Sequence, residues 1–404
     1  MKKILILSNS ASGLYEFRNE LVQNLLGANE VYISLPESED DRYMIAFKNE
    51  GCHVLSTPFE RRGMNPLKDY ELLKAYKQLI KEISPDMVLT YTIKPNIYGG
   101  LACKGLKVPY MTNITGLGTA ILGGGILSKA LLMMYRAATS RARCIFFQNS
   151  SNMEYMTKCG IKGGGDIKLL PGSGVNLSAH PYMPYPSEDN GIEILSVMRI
   201  MKDKGIEELL DTIEIMGSAG DGSSDESDNH MCSDSSRRIH FTIAGSYEEE
   251  TRSVYEPRIE KLTEEGKLTY LGFIDDMNPI YAGSHIIVHP SYHEGLSNVC
   301  LEAAACGRPV VTTDIPGCRE TVTIGKQADV VSNEDYDNAE SQKTQITDSG
   351  ILCQPRSVDS LKDALENMLE MTSEEHEKMG RMGRKHIEEN FDRNLVIRAY
   401  REYI

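Results

Sequence analysis

The chain of 404 residues carries a formal net charge of −15 with 25% charged residues, the composition of a soluble globular protein with material for two or three domains. That acidic balance argues against nucleic acid as the main partner. No stretch reaches the ~20 apolar residues of a membrane-crossing helix. The apolar run after Met1-Lys2-Lys3, Ile4–Leu7, is shorter than the roughly seven residues of a signal peptide core.

In chain order, the first half alternates short apolar strands with helical patterns. Lys3–Leu7 reads as a strand, Ser8–Gly13 as a turn of small and polar residues, and Tyr15–Leu26 as a helix. Strands follow at Val31–Leu35, His53–Pro58, Met87–Thr92 and Val108–Thr115, with helices between them that include Leu67–Ile83 and Asn96–Lys104. Cys144–Gln148 and Ile167–Leu170 complete the series. Strand, crossover helix and strand in repetition predict a parallel sheet covered on both faces.

Pro171–Gly191 is rich in Gly, Pro, Ser and Tyr and reads as a linker. A second series then runs through a strand at Ile192–Met198, a helix at Gly205–Met216, a strand at His240–Ala244 and a helix at Arg252–Glu264. Strands at Leu268–Phe273 and Ile286–Pro290 follow, then a helix after Ser297 and a strand at Val310–Thr313. The expectation is two α/β domains, residues 1–178 and 190–380, with the helical stretch 381–404 returning to the first. Gly217–Arg238 and Gln327–Gly350 are polar and rich in Ser or acidic residues, and read as surface insertions.

The charge is unevenly spread. Arg61–Arg143 holds 13 Lys and Arg against 4 Asp and Glu, a local +9, so the rest carries −24. Such a basic block suits a phosphorylated substrate or an anionic membrane surface. Within it Leu117–Met134 has a single charge, Lys129, and runs into Tyr135-Arg136. It reads either as an interfacial segment or as a buried loop and helix. The nine cysteines include no C-x-x-C pair, which suits reduced, buried thiols in a cytoplasm. Cys306, Cys318 and His293 lie near one another in sequence, but their spacing matches no zinc template.

The residues that carry chemistry lie at predicted strand ends, where ligands of α/β proteins bind. After the first strand of the second domain stand Arg199 and then Lys202-Asp203-Lys204-Gly205; Arg199 and Lys204 are two cations at a helix start, suited to a diphosphate. Later come Ile274, His289-Pro290-Ser291 and Glu294. Ser297 can cap the helix that follows, whose first N–H groups, at Asn298 and Val299, offer an anion site. Glu302 lies on the same helix face as Asn298 in an otherwise apolar stretch. Such a carboxylate needs a partner, either a neighbouring Arg or Lys or a ligand. In the first domain Gly13 follows strand one, where a Gly-containing turn allows close approach to a phosphate. No P-loop, G-x-G-x-x-G after the first strand of either domain, G-x-S-x-G or Mg²⁺-spaced carboxylate cluster occurs, so NTPase, nicotinamide and serine-hydrolase chemistry find no support.

E-G-L-S-N-V-C-L-E, with Glu294 and Glu302 eight apart, resembles the E-x7-E motif of retaining family 4 glycosyltransferases, which have the GT-B fold. R-I-M-K-D-K-G-I-E-E-L-L, L-G-F-I-D-D-M and H-P-S-Y-H-E-G match that family in order and spacing. G-L-Y-E-F-R-N-E-L, Y-T-I-K-P-N-I-Y-G and N-I-T-G-L-G in the first half are similar to the subgroup acting on undecaprenyl-diphosphate-linked sugars, the PglA-type N-acetylgalactosaminyltransferases. The resemblance covers nearly the whole chain outside the two insertions. It implies two Rossmann-like parallel-sheet domains facing a central cleft, an N-terminal acceptor and membrane-side domain, and a C-terminal donor domain.

The resemblance also implies roles. Arg199 and Lys204 hold the donor diphosphate; with the helix start at Ser297, Asn298 and Val299 they take the place of a metal, and no cofactor is required. Glu294 contacts sugar hydroxyls, Glu302 the ribose, and the Ile274 backbone the base. Gly13 lets the first domain approach the diphosphate. The reaction moves a sugar, N-acetylgalactosamine from a UDP-sugar being the best expectation, onto a polyprenyl-diphosphate-linked glycan with retention and no covalent intermediate. The enzyme would be peripheral on the inner face of the cytoplasmic membrane. Relatives carry His or Glu where this chain has Asn113-Ile114-Thr115, so the acceptor side rests on Asn113, Thr115 and Lys94 without an assigned catalytic group. A UDP-sugar 2-epimerase of the same fold and a non-catalytic sugar-nucleotide binding protein are the alternatives.

Overall fold

The computed structural model describes residues 1–61, 63, 65–118, 121, 123–218, 238–322 and 344–404. Two compact units divide the chain: residues 1–174 with 393–404, and residues 175–392. Cys232, most of the Gly217–Arg238 stretch, the start of the Gln327–Gly350 stretch and three positions of Leu117–Met134 lie outside the described residues.

The first unit is built on seven strands: β1 (Lys2–Leu7), β2 (Asn29–Leu35), β3 (His53–Ser56), β4 (Met87–Tyr91), β5 (Tyr110–Ile114), β6 (Cys144–Phe147) and β7 (Asp166–Leu169). Their order is β3-β2-β1-β4-β5-β6-β7 and every pairing is parallel. All residues of β4, β5 and β6 are buried, as expected of central strands covered on both faces. Two apolar layers sandwich the sheet. One of them combines Leu14, Val22 and Phe47 with Val396, Ile397 and Tyr400 from the far end of the chain.

The second unit repeats the plan with β8 (Ile192–Val197), β9 (Ile239–Ala244), β10 (Leu268–Gly272), β11 (Ile286–His289), β12 (Val310–Thr313), β13 (Gln345–Ile346) and β14 (Gly350–Cys353). The order is β10-β9-β8-β11-β12-β14-β13, parallel throughout except for the antiparallel edge pair β13 and β14. In both sheets the strand order reverses beside the first strand, which opens a crevice at the strand C-termini.

Several elements differ from the sequence expectation. The helix after β1 begins at Ala11, because Ser10 adopts an extended conformation and its Oγ accepts from the Gly13 N–H. Gly13 therefore lies in the first helical turn, not in a phosphate-cradling loop. Pro95–Gly99 forms a single π-helical turn before the helix Gly100–Leu106. The end of the second supposed insertion forms β13 and leads into β14, with Ser349 buried between them. Arg308, fully buried, donates to the carbonyls of Met183 and Pro184, so much of the supposed linker packs onto the second unit. The helix Ser373–Asn390 also belongs there, against Asn298–Ala305. Only Arg393–Ile404 belongs to the first unit, a later break than residue 381.

Candidate active site

The site in the second unit is assembled by two chain segments that meet at the C-terminal end of the sheet. Beyond β8 the chain makes a 3-10 turn over Lys202–Lys204 and enters the helix Ile206–Ser218 through Gly205, at φ +73°. A Cβ at Gly205 would lie 2.1 Å from the Pro290 carbonyl oxygen. Only glycine tolerates both the left-handed backbone and that approach. The close passage sets Lys204 beside the loop that follows β11, which Tyr292 also ties down through its N–H to the Asp203 carbonyl at 2.9 Å.

That loop carries Glu294. Its carboxylate accepts from Lys204 Nζ and faces His289 Nε2 at 3.0 Å. The Glu294 and Lys204 side chains are 15% and 16% exposed, while His289 is buried. Burial by itself raises the Glu294 pKa; the Lys204 charge and the His289 hydrogen bond outweigh it and hold the carboxyl at about 2. Glu294 is thus a fixed carboxylate across physiological pH. It can accept hydroxyl hydrogen bonds and stabilise positive charge, but it holds no proton to donate.

Three residues on, Ser297 caps the helix Asn298–Ala305, its Oγ accepting from the Cys300 N–H at 3.3 Å. Helix geometry leaves the N–H groups of Asn298 and Val299 ahead of the first intrahelical acceptor, in the position suited to an anion. Glu302 accepts a hydrogen bond from the Tyr281 hydroxyl at 3.2 Å. Ile274 and Val299 pack against the same apolar cluster, built on Tyr281, Cys300 and Ala303. The structure therefore brings together Lys204, Glu294, Ser297, Asn298, Val299 and Glu302 on contiguous elements, with Ile274 in the shared packing.

Arg199 stands apart. It is 59% exposed and its guanidinium pairs with Glu248, held there because Ile200 bridges to Tyr247 beyond β9. In the first unit, Gly13 lies in its helix as described. Lys94 is ion-paired to Asp69 at 2.9 Å, with side chains only 11% and 6% exposed. Asn113 is buried and its amide donates to the Tyr400 hydroxyl at 2.8 Å, a structural tie to the C-terminal helix. Thr115 is half-buried, just past β5.

Two residues gain roles that the sequence alone does not assign. His289, the last residue of β11, is the second partner of Glu294; its place at a strand end and in the H-P-S-Y-H-E-G run singles it out. Gly317, at φ +91°, runs so close to the Glu294 backbone that a Cβ would lie 2.7 Å from that carbonyl oxygen, and its own carbonyl accepts from the Ser297 N–H at 2.7 Å. The Pro316-Gly317 pair after β12 was the available signal.

Comparisons with known proteins bear on the family and the fold. Residues 184–386 match the family Glycosyl transferases group 1, and residues 3–149 match Glycosyl transferase 4-like. The chain is 25% identical over 338 residues, 80% of its length and 83% of the relative's, to the N,N'-diacetylbacillosaminyl-diphospho-undecaprenol alpha-1,3-N-acetylgalactosaminyltransferase of Campylobacter jejuni. It is 30% identical over 140 residues, 35% of this chain and 32% of the relative, to the capsular polysaccharide biosynthesis glycosyltransferase CapM of Staphylococcus aureus. Anabaena Alr3699/HepE in complex with UDP and glucose superposes with a TM-score of 0.73 at 16% identity, covering 100% of this chain and 99% of that one. Sucrose-phosphate synthase of Thermosynechococcus elongatus does so at 0.71 and 17%, covering 100% and 99%. Nothing in these matches supports the epimerase alternative. The chain belongs to the group 1 glycosyltransferases and has their GT-B fold.

Proposed function

We propose that the enzyme transfers an N-acetylhexosamine, best N-acetylgalactosamine, from a UDP-sugar to a polyprenyl-diphosphate-linked glycan, with retention of anomeric configuration and without a metal at the diphosphate. The observation that carries the reading is the Lys204–Glu294–His289 cluster beside the start of the helix Asn298–Ala305. Lys204 has three donors, so it can keep Glu294 and still meet a phosphate oxygen. Together with the N–H groups of Asn298 and Val299 it stabilises the departing nucleoside diphosphate. Arg199, at the end of a long exposed side chain, exchanges Glu248 for the same diphosphate. Glu294, permanently ionised, accepts sugar hydroxyls and faces the positive charge that develops as the donor bond breaks. Glu302, oriented by Tyr281, takes the ribose hydroxyls, and the Ile274 backbone the base.

The acceptor class follows the Campylobacter relative, whose name specifies an undecaprenyl-diphosphate acceptor. It also fits the first unit's basic block. On the helix Gly125–Thr139, Ile126, Lys129, Met133 and Arg136 share one exposed face. Alternating apolar and cationic side chains on one face suit the inner surface of a membrane.

The test is a panel of UDP- and GDP-sugars offered with a polyprenyl-diphosphate sugar, read by product mass and by the anomeric configuration of the new linkage, with and without chelator. Transfer with an inverted linkage, or transfer abolished by chelator, would refute the retaining or the metal-free part. Release of an isomerised sugar nucleotide without acceptor would refute transfer altogether.

A further inference from the structure

Three side chains converge behind Glu294 that the proposed transfer does not use together. His289 ends β11, Cys300 lies in the first turn of the helix Asn298–Ala305, and Cys318 lies in the turn after β12. A ring nitrogen of His289 and the two sulfurs all lie within 4.8 Å of one another. His289 is 2% exposed and both cysteines are fully buried. This is a different set from the His293, Cys306 and Cys318 that lie close in sequence.

The state of His289 is set by its other neighbour. Its Nε2 lies 3.0 Å from Glu294 Oε1. An ionised carboxylate only accepts hydrogen bonds, so in the neutral ring the proton sits on Nε2 and Nδ1 keeps its lone pair. That Nδ1 is buried and has no hydrogen-bond partner. An imidazole held through one N–H by a carboxylate, with its other nitrogen bare, is in the tautomer and orientation that metal-bound histidines adopt.

We propose that His289 Nδ1, Cys300 Sγ and Cys318 Sγ form a binding site for a thiophilic divalent cation of the zinc class. The donor set, two thiolates and one imidazole, matches the softness such an ion prefers and disfavours Mg²⁺ or Ca²⁺, which take oxygen ligands. Both thiols lose their protons to solvent as the ion binds, and the resulting thiolates neutralise its charge. Thr312 Oγ1, 3.7 Å from Cys300 Sγ, belongs to the surrounding shell. The ion ties the end of β11, the start of the Glu302 helix and the turn carrying Gly317 to one another. It sits behind the carboxylate and takes no part in holding the donor diphosphate.

The experiment titrates the reduced, chelator-treated full-length chain with Cd²⁺, an optical probe for thiolate ligation, and with Zn²⁺. A stoichiometric thiolate-to-Cd²⁺ absorption band is expected. Cys300→Ser and Cys318→Ser each weaken it by more than the ~10–100-fold that loss of an outer-shell partner costs. Cys159→Ser, a thiol of the other unit, leaves it unchanged. Zn²⁺ raises the unfolding temperature of the wild type and not of the two cluster variants. X-ray absorption on the Zn²⁺-loaded wild type needs no variant to fold; it shows sulfur scatterers at ~2.3 Å with nitrogen at ~2.0 Å. No band in the wild type, a band that survives both serine variants, or a shell of oxygen and nitrogen only overturns the proposal. Transferase activity enters none of these readouts, so they stand or fall separately from the proposed reaction.

Discussion

Gly205 and Pro290 pass so closely that no side chain fits between them: a Cβ on the glycine would lie 2.1 Å from the proline carbonyl oxygen. The contact docks the segment carrying Lys204 onto the loop carrying Glu294. Gly205→Ala should therefore strain the backbone and push the two segments apart. Gly266 provides the control, since it has a similar positive φ of +70° with open space around its Cβ position. Chemical denaturation should show Gly266→Ala losing about 1 kcal/mol and Gly205→Ala some 1–3 kcal/mol more. Only Gly205→Ala should also lose turnover. Equal losses would mean that the approach to Pro290 is not restrictive.

Removing the positive charge should expose how much the site depends on it. Lys204→Ala is expected to lower turnover by roughly two to three orders of magnitude, the usual loss for one positioned charge stabiliser. It also leaves Glu294 beside His289 without its cation, so stability should fall as well. Lys202, with its side chain 64% exposed and paired to Glu207, serves as the comparison, and Lys202→Ala should retain near-normal turnover. Steady-state kinetics on the two variants decides; unchanged turnover in Lys204→Ala removes the diphosphate assignment.

Acid sensitivity follows from Glu294. Its carboxyl is held at about 2 against an ordinary 4.5. A depressed folded-state pKa means that the unfolded chain takes up the proton first. The stabilisation is complete above about 4.5 and is lost as the pH falls towards 2. Urea unfolding of wild type and Glu294→Gln across that window should show the wild-type advantage shrinking by up to a few kcal/mol. A difference that stays constant on acidification would show that Lys204 and His289 do not hold the carboxylate ionised.

Tyr281 offers a finer probe of the proposed donor site. Its buried hydroxyl reaches Glu302 at 3.2 Å, and Tyr281→Phe deletes that bond with little change in shape. If Glu302 binds the ribose, the loss of ~0.5–1.5 kcal/mol should raise KM for the donor by about two- to tenfold and leave kcat nearly intact. A fall in kcat at constant KM would move Glu302 out of ground-state binding.

The exposed face of the helix Gly125–Thr139 makes a prediction about localisation. Ile126 is 89% and Met133 67% exposed, beside exposed Lys129 and Arg136. Flotation with vesicles rich in anionic lipid should weaken with salt. Ile126→Glu combined with Met133→Glu should reduce it roughly tenfold or more, since each apolar side chain contributes up to ~1.5 kcal/mol or more on insertion. Flotation indifferent to both salt and the double variant would place the contact elsewhere.

The sequence carried the parts of this architecture that depend on local pattern. Alternating apolar runs located twelve of the fourteen strands among the described residues; β13 and the first residue of β14 fell within a stretch read as a surface insertion. The cap at Ser297 and the proximity of Lys204 to Glu294 were legible because strand ends of one sheet face one crevice. What stayed hidden depends on contacts distant in sequence. Nothing local announces that Asp69 neutralises Lys94, that Glu248 takes Arg199, or that Asn113 serves Tyr400. The start of the first helix was misjudged because Ser10 could be a loop residue or a cap, and only its extended backbone decides.

The first unit takes its last buried side chains from Val396, Ile397 and Tyr400, although more than two hundred residues of the second unit separate them from Gly174. During synthesis the seven-stranded N-terminal sheet emerges first, yet part of one of its faces waits uncovered until the whole second unit has been made. Until then Phe146 lacks the Tyr400 ring that packs on it at 4.6 Å, and Asn113 lacks its hydroxyl partner. The two units are thus coupled in the order of their folding, and a lesion near residue 400 would be felt in a sheet that begins at residue 2.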